Sequence, residues 1–218
     1  MSLTQDLADL LAQNRAKQPK EAKVIMAKTD RELAESGIID RTLKEGETVP
    51  NFTLANVKNQ SVALQDLLKK GAVVLSFYRG GWCPYCNMEL RGLQKVLPEI
   101  QALDATLVAV SPETPDNSLS TAEKNELTFE VLSDESNKIA RELGLVFTVP
   151  EELRPVYESF GIDLPARNGD TTFELPIPAT YVIAPDGTIV HAFANTDYTK
   201  RLDPEDIIAA LKKITVAV

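Results

Sequence analysis

The fold of this chain depends on the stretch Val73-Val-Leu-Ser-Phe-Tyr-Arg-Gly-Gly-Trp-Cys-Pro-Tyr-Cys-Asn-Met-Glu-Leu90. Its apolar first part, Val73 to Tyr78, predicts a buried strand, because a short aliphatic and aromatic run that ends at turn residues is typical of one. Gly80 and Gly81 then permit a tight turn. Beyond the turn, apolar residues recur every three or four positions and predict a helix packed by one face: they are Leu90, Leu93, Val96 and Leu97.

The two cysteines of the chain, Cys83 and Cys86, lie at this junction of strand and helix. The first turn of a helix has unpaired backbone N–H groups and the positive end of the helix dipole, and both stabilise an anion. A thiolate is such an anion, and Cys-X-X-Cys thiols at helix N-termini have their pKa lowered from about 8.5 to roughly 3.5–7.5. We therefore expect a dithiol with at least one lowered pKa that attacks a substrate and closes to a disulfide.

Other roles for these cysteines need different surroundings. Two cysteines can be small buried apolar residues without chemistry. A structural zinc site needs four ligands, but the chain offers only these two thiols and one histidine, His191. A cysteine protease needs a base beside its nucleophile, whereas His191 lies in a predicted strand with nothing to indicate such a pair. We expect no metal, no cofactor and an ordinary sheet position for His191.

Composition and charge exclude several kinds of partner. Hydrophobic residues make up 44% of the chain and charged residues 25%, so a normal core can form. The 32 acidic residues outnumber the 23 lysines and arginines and give a net charge of −9. Nucleic acids and anionic membranes bind basic surfaces, so we expect neither as a partner.

The expected compartment follows from the first residues and from the hydropathy pattern. No apolar run reaches the length of a membrane span. The first residues, Met-Ser-Leu-Thr-Gln-Asp, are polar and acidic, where a signal peptide is basic and then apolar. We therefore expect a cytoplasmic protein, and in a reducing compartment a Cys-X-X-Cys pair is more typical of catalysis than of a structural cross-link.

Residues 1–45 predict a helical extension ahead of a domain that we place at residues 46–218. A second helix should start after Pro19 and end before Gly37. The two helices can serve either as a packed extension of the core or as a subunit interface, and we expect a homodimer with these helices at or near its interface. The first helix has an apolar face that consists of Leu3, Leu7, Leu10 and Leu11.

The rest of the chain alternates strands with helices and closes with a hairpin, which predicts an α/β fold with a mixed central sheet flanked by helices. The hairpin turn is Pro185-Asp-Gly187. Residues 150–176 are rich in proline and charge and predict an irregular insertion anchored by Tyr157, Phe160 and Phe173. We expect further strands at 49–54, 61–64, 105–110, 129–132, 178–184 and 188–193, and helices at 65–70, 123–127, 138–143 and 203–213.

The segments around the cysteines form a characteristic set: Phe77-Tyr78, Trp82-Cys-Pro-Tyr-Cys86, Gly46, Pro50-Asn-Phe-Thr-Leu54, Pro178-Ala-Thr-Tyr-Val-Ile183 and Asp186-Gly187. Together they resemble the thioredoxin-fold family of peroxiredoxins, also called alkyl hydroperoxide reductase C or thiol-specific antioxidant proteins. The similarity runs from about residue 46 to residue 213. It implies a thioredoxin-like fold and an antioxidant oxidoreductase with redox-active cysteines.

Within that family the chain resembles a peroxiredoxin-like branch that carries Cys-X-X-Cys. Typical members carry Pro-X-X-X-Thr-X-X-Cys, whose cysteine attacks peroxide while the threonine and a distant arginine hold the peroxide oxygens. In this sequence the proline falls on Arg79, the threonine on Cys83, the attacking cysteine on Cys86 and the arginine near Pro178. Only the cysteine is retained, and this register would make Cys86 the first nucleophile.

The replacements resemble those of a thioredoxin. Trp82 precedes the pair, and the middle residues Pro84 and Tyr85 are the glutaredoxin dipeptide. Pro178 occupies the place where such proteins have a cis-proline facing the disulfide. The resemblance therefore implies a cis bond between Ile177 and Pro178.

Two positions beside the pair leave its chemistry open. Thioredoxins keep a buried acid on the central strand as a proton acceptor, and Ser76 stands near that place. Arg79 can support a thiolate electrostatically, although an arginine at a strand end is more often a solvated charge. Resolution by a carboxylate on this strand is thus not expected.

These features predict a dithiol oxidoreductase that reduces peroxides or disulfides and is re-reduced by a thiol system of the thioredoxin, glutaredoxin or glutathione type. In thioredoxin-like exchange the first cysteine is the more exposed and the second lies under its helix. This favours Cys83 as nucleophile and Cys86 as resolver, with Trp82 and Pro178 flanking a groove. The alternative is a binding or scaffold protein of the same fold without turnover.

Overall fold

The structure is a computed structural model that describes residues 2–216. Its strands are β1 (Thr53–Asn56), β2 (Ser61–Ala63), β3 (Ala72–Phe77), β4 (Ala105–Ser111), β5 (Glu130–Ser133), β6 (Val146–Thr148), β7 (Glu174–Pro176), β8 (Ala179–Ile183) and β9 (Ile189–Ala194). Its helices are α1 (Leu3–Lys17), α2 (Lys20–Glu35), α3 (Ile38–Arg41), α4 (Leu64–Leu68), α5 (Pro84–Ala102), α6 (Pro115–Lys124), α7 (Lys138–Glu142), α8 (Arg154–Ser159), α9 (Leu164–Asn168) and α10 (Pro204–Val216).

A seven-stranded mixed sheet runs through the molecule in the order β2-β1-β5-β4-β3-β8-β9. Strands β3, β4 and β5 are parallel, while β8 and β9 on one side and β1 and β2 on the other are antiparallel to their neighbours. Strands β6 and β7 form a separate antiparallel pair. The predicted α/β architecture with a mixed central sheet is confirmed.

Strand β3 lies inside the sheet and is buried on both faces. Successive strand residues point to opposite faces, so Val73, Leu75 and Phe77 join the core on one side, and Val74 joins the core on the other. This burial explains why the sequence of β3 is continuously apolar rather than alternating. Helix α5 follows β3 and therefore brings its first turn to the carboxyl end of a rigid strand.

Helix α5 has Cys83 as its N-cap residue and Pro84 at its first position, where the missing proline N–H costs no hydrogen bond. Its apolar face packs on the sheet beside α10. Burying each leucine of that face contributes about 1.5–3 kcal/mol. No helix within residues 2–216 is both long and apolar enough to cross a bilayer.

The two N-terminal helices pack within the chain. Leu3 and Leu7 of α1 are buried in the same cluster as Cys83 and Cys86, and α2 packs on the segment that contains α8. The division of the chain at residue 46 stays a prediction. The sequence left two roles open for these helices, a packed extension of the core and a subunit interface. The contacts within the chain correspond to the packed extension.

Three local predictions are wrong. The strand expected at 49–54 begins at Thr53, because Val49 instead donates its N–H to Gly187 in the turn of the final hairpin. Helix α6 begins at Pro115, not at 123: its buried residues are small and polar, so hydrophobic periodicity does not mark it. Residues 150–176 are not irregular, since they contain α8, α9 and β7.

The expected cis bond before Pro178 is also absent, because no peptide bond within residues 2–216 is cis. Ile177 donates its N–H to Leu145 at 2.9 Å, and Pro178 accepts a hydrogen bond from Asn195 at 3.2 Å. Both contacts hold the chain extended as it passes from β7 to β8. The ordinary preference of X–Pro bonds for trans is therefore met.

Candidate active site

The loop ahead of Cys83 is held from two sides. Asn87 donates from Nδ2 to the carbonyl oxygens of Gly81 at 2.8 Å and Cys83 at 3.2 Å. The buried carboxylate of Glu113 accepts the N–H of Gly81 at 2.8 Å. The position of Cys83 is therefore fixed by the sheet end on one side and by its own helix on the other.

Both sulfurs are enclosed, since Cys83 and Cys86 are each 0% exposed, and both are free thiols. The expectation that Cys83 is the more exposed cysteine is wrong. Helix α1 packs over the first turn of α5, and aromatic side chains from later segments close the remaining side. The two cysteines therefore differ in their charged neighbours and not in their accessibility.

Arg79 touches the first sulfur. Its Nη2 donates to Cys83 Sγ at 3.2 Å and its Nη1 donates to the Tyr157 hydroxyl at 3.1 Å. The arginine is only 4% exposed, so it is not the solvated charge that its place at a strand end suggests. A buried guanidinium this close to a sulfur favours the thiolate form.

Three aromatic rings surround Arg79, and we call them the aromatic cage: Trp82, Tyr157 and Tyr198. The guanidinium carbon lies 4.9 Å from the ring centroid of Trp82 and 4.4 Å from that of Tyr198. Cation–π contacts of this kind stabilise by about 0.5–2 kcal/mol, more when desolvated. The cage thus holds a cation against Cys83 without supplying an anion that would compete with the thiolate.

Arg201 touches the second sulfur. Its Nη2 donates to Cys86 Sγ at 3.0 Å, and its Nε donates to the carboxylate of Glu89. Ser76 donates its hydroxyl hydrogen to the other oxygen of Glu89 at 3.2 Å. The site therefore does contain a buried acid beside the dithiol. This acid is Glu89 of α5, and Ser76, which stands on the central strand where thioredoxins have their acid, hydrogen-bonds to it.

The two thiols have opposite acidities. Burial opposes ionisation of Cys83, but the hydrogen bond with Cys86 and the charges of Arg79 and Arg201 outweigh it, so the pKa of Cys83 lies well below its ordinary value. Burial, the hydrogen bond with Cys83 and the charge of Cys83 raise the pKa of Cys86 well above its ordinary value. The surroundings of the pair therefore favour the thiolate at Cys83 and the protonated thiol at Cys86.

Two cavities meet at the aromatic cage. The first, about 380 Å³, lies over the motif between Pro84, Tyr85, Met26 and Phe160, and we call it the aromatic cleft. The second, about 410 Å³, lies between α2 and Phe147, and we call it the Asp30 cavity. Arg79, Tyr157 and Tyr198 line both. The aromatic cleft has the dimensions of a small-molecule site.

The other predicted site residues lie around the same centre. Trp82, Pro84 and Tyr85 line the aromatic cleft, whereas Pro178 is buried in the wall of the Asp30 cavity and lines only that space. The groove expected between Trp82 and Pro178 is therefore two cavities separated by Arg79. His191 lies in β9 as an ordinary sheet residue and contacts Glu45 at 2.8 Å.

Sequence reasoning missed four residues of the site: Glu89, Tyr157 as a cage member, Tyr198 and Arg201. Arg201 lies 115 residues from Cys86 in the chain, and Tyr157 lies 78 residues from Arg79. No spacing rule connects positions this far apart. A signal existed only for Glu89, because a residue three positions after Cys86 on a helix lies on the same face.

A sequence model of the AhpC/TSA family matches residues 46–192, which include the whole cysteine motif and most of the sheet. The chain belongs to the AhpC/TSA family. The predicted resemblance to peroxiredoxins is thereby confirmed, and the match covers about two thirds of the chain. The helices of residues 1–45 lie outside it.

Named relatives agree with this family. The chain is 28% identical over 196 residues to peroxiredoxin Q from Triticum aestivum, covering 90% of this chain and 77% of that protein. It is 32% identical over 103 residues to the putative peroxiredoxin bcp of Haemophilus influenzae, covering 47% of this chain and 66% of that protein. The matched stretch thus spans slightly less than two thirds of the Haemophilus relative.

Solved AhpC/TSA-like structures share the fold. Peroxidoxin BcpB from Mycobacterium tuberculosis superposes with a TM-score of 0.62 at 22% identity, covering 79% of this chain and 98% of that one. The bacterioferritin comigratory protein of Xanthomonas campestris, whose structure is described for its alkyl peroxide reduction activity, gives a TM-score of 0.59 at 16% identity, covering 80% and 98%. The predicted thioredoxin-like fold is confirmed.

Proposed function

We propose that the protein is a thiol peroxidase that uses Cys83 as nucleophile and Cys86 as resolver. The observation that carries this assignment is the hydrogen bond from Arg79 to Cys83 Sγ, made inside a buried aromatic cage. The guanidinium stabilises the Cys83 thiolate, which is the form of the cysteine that attacks. The alternative, a scaffold of the same fold without turnover, has no observation in its favour.

The proposed reaction takes two steps. The Cys83 thiolate attacks one peroxide oxygen, the O–O bond breaks, and an S–OH group forms while the leaving alkoxide or hydroxide takes a proton from water. Cys86 then gives up its proton to the S–OH oxygen as its sulfur attacks Cys83 sulfur, so that the S–S bond forms, the S–O bond breaks and the oxygen leaves as water. Arg79 lies where it can donate to the peroxide as charge develops on the leaving oxygen.

Cys86 is suited to the second step because its sulfur is already in contact with Cys83. Its pKa is raised, so the thiolate must form during the attack, as its proton passes to the leaving oxygen. Arg201 orients its sulfur through a 3.0 Å hydrogen bond. The family register, which places the peroxidatic cysteine on Cys86, predicts the opposite order of attack and is the competing assignment.

The experiment is stopped-flow oxidation of the reduced protein and of two serine variants by hydrogen peroxide. Cys86→Ser should react as fast as the unmodified protein and stop at a Cys83 sulfenic acid, which dimedone traps and mass spectrometry locates. Cys83→Ser should react at the rate of an ordinary thiol. A fast Cys83→Ser variant with dimedone on Cys86 would reverse the assignment, and slow reaction of all three proteins would overturn the peroxidase function.

The remaining expectations are proposals of the same kind. We propose peroxides as the principal substrates, with organic peroxides admitted by the aromatic cleft, and a cellular thiol as reductant. We further propose a cytoplasmic location, because a Cys-X-X-Cys pair that must be reduced in every cycle suits a reducing compartment. Activity assays with cumene hydroperoxide and with insulin disulfide would separate peroxide from disulfide substrates.

A further inference from the structure

Two buried cations face this one dithiol. Arg79 donates to Cys83 at 3.2 Å and Arg201 donates to Cys86 at 3.0 Å, and each guanidinium lies almost completely inside the protein. Against them stand two negative groups in contact, the Cys83 thiolate and the Glu89 carboxylate bound to Arg201 and Ser76. Burial raises the pKa of Glu89, so the Cys83 thiolate is the acidic partner on which the charge of Arg79 acts directly.

Closing the disulfide removes one of the two negative charges. The reduced pair carries one thiolate, and the oxidised pair carries no charge, so on oxidation Arg79 loses the negative sulfur that it touches. An uncompensated buried charge is costly. Glu89 does not offset this loss, because it is bonded to Arg201 and Ser76 and not to Arg79.

We propose that Cys83 and Cys86 form an oxidising couple, in which the buried guanidiniums favour the reduced pair and a small monothiol is a sufficient electron donor. This rests on the proposed function, which requires a disulfide that forms and is reduced in each cycle. The general precedent is that a disulfide becomes a stronger oxidant when its reduced form is stabilised. Here the stabilising groups are Arg79 and Arg201.

The access route agrees with a small donor. Both sulfurs are 0% exposed, so every donor must displace part of their cover, and a small thiol needs a smaller displacement of α1 or the aromatic cage than a folded protein does. The aromatic cleft, about 380 Å³, admits a molecule of tripeptide size beside Trp82 and Tyr85. A first monothiolate attacks one protein sulfur and displaces the other; a second attacks the mixed disulfide. Overall, the disulfide and two thiols give the protein thiolate and thiol, one small disulfide and one proton.

Other titratable groups around the pair come from several elements. Glu113 follows β4 and contacts the loop at Gly81, and Asp30 faces Arg79 from α2. The Tyr157 hydroxyl and the Tyr198 ring contact Arg79 in the cage. Burial raises the pKa of Glu113, and it raises that of Asp30 to about 6. Measurements between pH 7 and 8.5 therefore avoid the titration of Asp30.

The first test is the pH dependence of the reduction potential of the full-length protein, measured in glutathione buffers by alkylation and mass spectrometry. A reduced pair that keeps one proton takes up one proton per two electrons, so each pH unit changes the equilibrium constant tenfold, which is about 30 mV. A slope of about 60 mV per pH unit would mean that both thiols are protonated, and it would overturn the proposal.

The second test compares Arg79→Gln with Arg31→Gln, which removes the same charge from an exposed site on α2. Arg79→Gln should stabilise the disulfide relative to the dithiol at least tenfold, about 30 mV, while Arg31→Gln should change it less than twofold. Arg79→Lys keeps the charge and should fall between Arg79→Gln and the unmodified protein. Equal potentials for Arg79→Gln and Arg31→Gln would overturn the proposal.

The donor is tested with glutathione alone, against dithiothreitol as the dithiol probe. Glutathione in excess should reduce the peroxide-formed disulfide completely; reduction by dithiothreitol only would overturn the claim of an oxidising couple. A result that overturns the oxidising couple can be told apart from one that overturns the peroxidase function. If peroxide never produces a reversible disulfide between Cys83 and Cys86, the peroxidase itself is wrong, whereas a reversible disulfide of low potential leaves the peroxidase intact.

Discussion

At the scale of single residues, Asp30 is a carboxyl near the site whose ionised form is destabilised by burial. It lies on α2 in the wall of the Asp30 cavity, facing Arg79, and within residues 2–216 no side-chain or backbone donor hydrogen-bonds to its carboxyl oxygens. Burial raises its pKa from 3.8 to about 6, although the charge of Arg79 acts in the opposite direction. The folded state thus keeps this proton longer than the unfolded state does.

This gives a prediction about pH. A carboxyl whose pKa is raised by folding reduces stability as pH rises from about 4 to about 6, and the penalty is then complete. Asp30→Asn should therefore stabilise the protein by about 1–2 kcal/mol at pH 8, after allowance for solvent screening. At pH 4 only a small part of this gain should be present, because the penalty begins near the unfolded-state pKa of 3.8. Urea unfolding at both pH values checks this, and a gain of equal size at pH 4 would show that charge is not the cause.

The catalytic residues show what sequence can reveal at this scale. Cys83, Cys86 and Arg79 are close in sequence, and a strand, a turn and a helix start were enough to place them together. The roles of Arg79 and Cys83 nevertheless depended on burial, which comes from Tyr157 and Tyr198 far along the chain. From sequence alone, a charged residue at a strand end is predicted to be exposed to solvent, because the distant segment that covers it is not known.

At the scale of secondary structure, α1 is the element that closes the site from the N-terminal side. Leu7 is buried against the cluster that contains both cysteines and Tyr85, and Asn14 donates to the Tyr85 hydroxyl at 3.3 Å. The helix therefore contributes both core and cover. Of its apolar face, Leu3 and Leu7 are buried within the chain, whereas Leu10 and Leu11 are partly buried.

Leu7→Ala should cost about 2–5 kcal/mol of unfolding free energy, because it leaves a cavity beside the first turn of α5. The loosened contact should also expose the dithiol, so thiols should react faster with a chromogenic disulfide than in the unmodified protein. The matched control is Leu119→Ala, whose side chain is 37% exposed on α6. Equal thiol reactivity in both variants would show that α1 does not cover the cysteines.

Elements with a strong apolar pattern were predicted well and the others were not. The strands β3 and β4 are nearly continuous apolar runs, and the helix α5 has apolar residues every three or four positions, so the type of each element was predicted correctly. Helix α6 buries Ser118, Thr121 and Ala122, which carry no hydrophobic signal, and its start at Thr114 and Pro115 is marked only by capping chemistry. Strands β6 and β7 pair with each other across a long segment, and short-range periodicity cannot show such pairing.

At the scale of the whole molecule, the assembly state stays a prediction. The sequence-based argument used the apolar face of the first helices, but Leu3 and Leu7 are buried within the chain. Among the large hydrophobic residues described on α2, Val24 is the exposed one, at 70%. A dimer would therefore have to use a different surface of these helices from the one that the leucine pattern suggested.

We retain the expectation of a homodimer and give it a direct test. Light scattering of the full-length protein at micromolar concentration should report twice the chain mass of 23.9 kDa. Val24→Asp should then shift the protein toward the monomer if α2 lies at the interface, while Leu119→Asp on α6 should not. A monomeric unmodified protein would contradict the expectation, and a dimer unaffected by either change would place the interface elsewhere.

The aromatic cage has one more consequence, which concerns light rather than chemistry. Trp82 is the single tryptophan of the chain, is the neighbour of Cys83, and lies 4.9 Å from the guanidinium of Arg79. Indole fluorescence responds to nearby charges and to sulfur atoms that quench it. Every change in the Cys83 thiolate or in the position of Arg79 therefore acts on the same fluorophore, and the protein carries a built-in optical reporter of its own redox state.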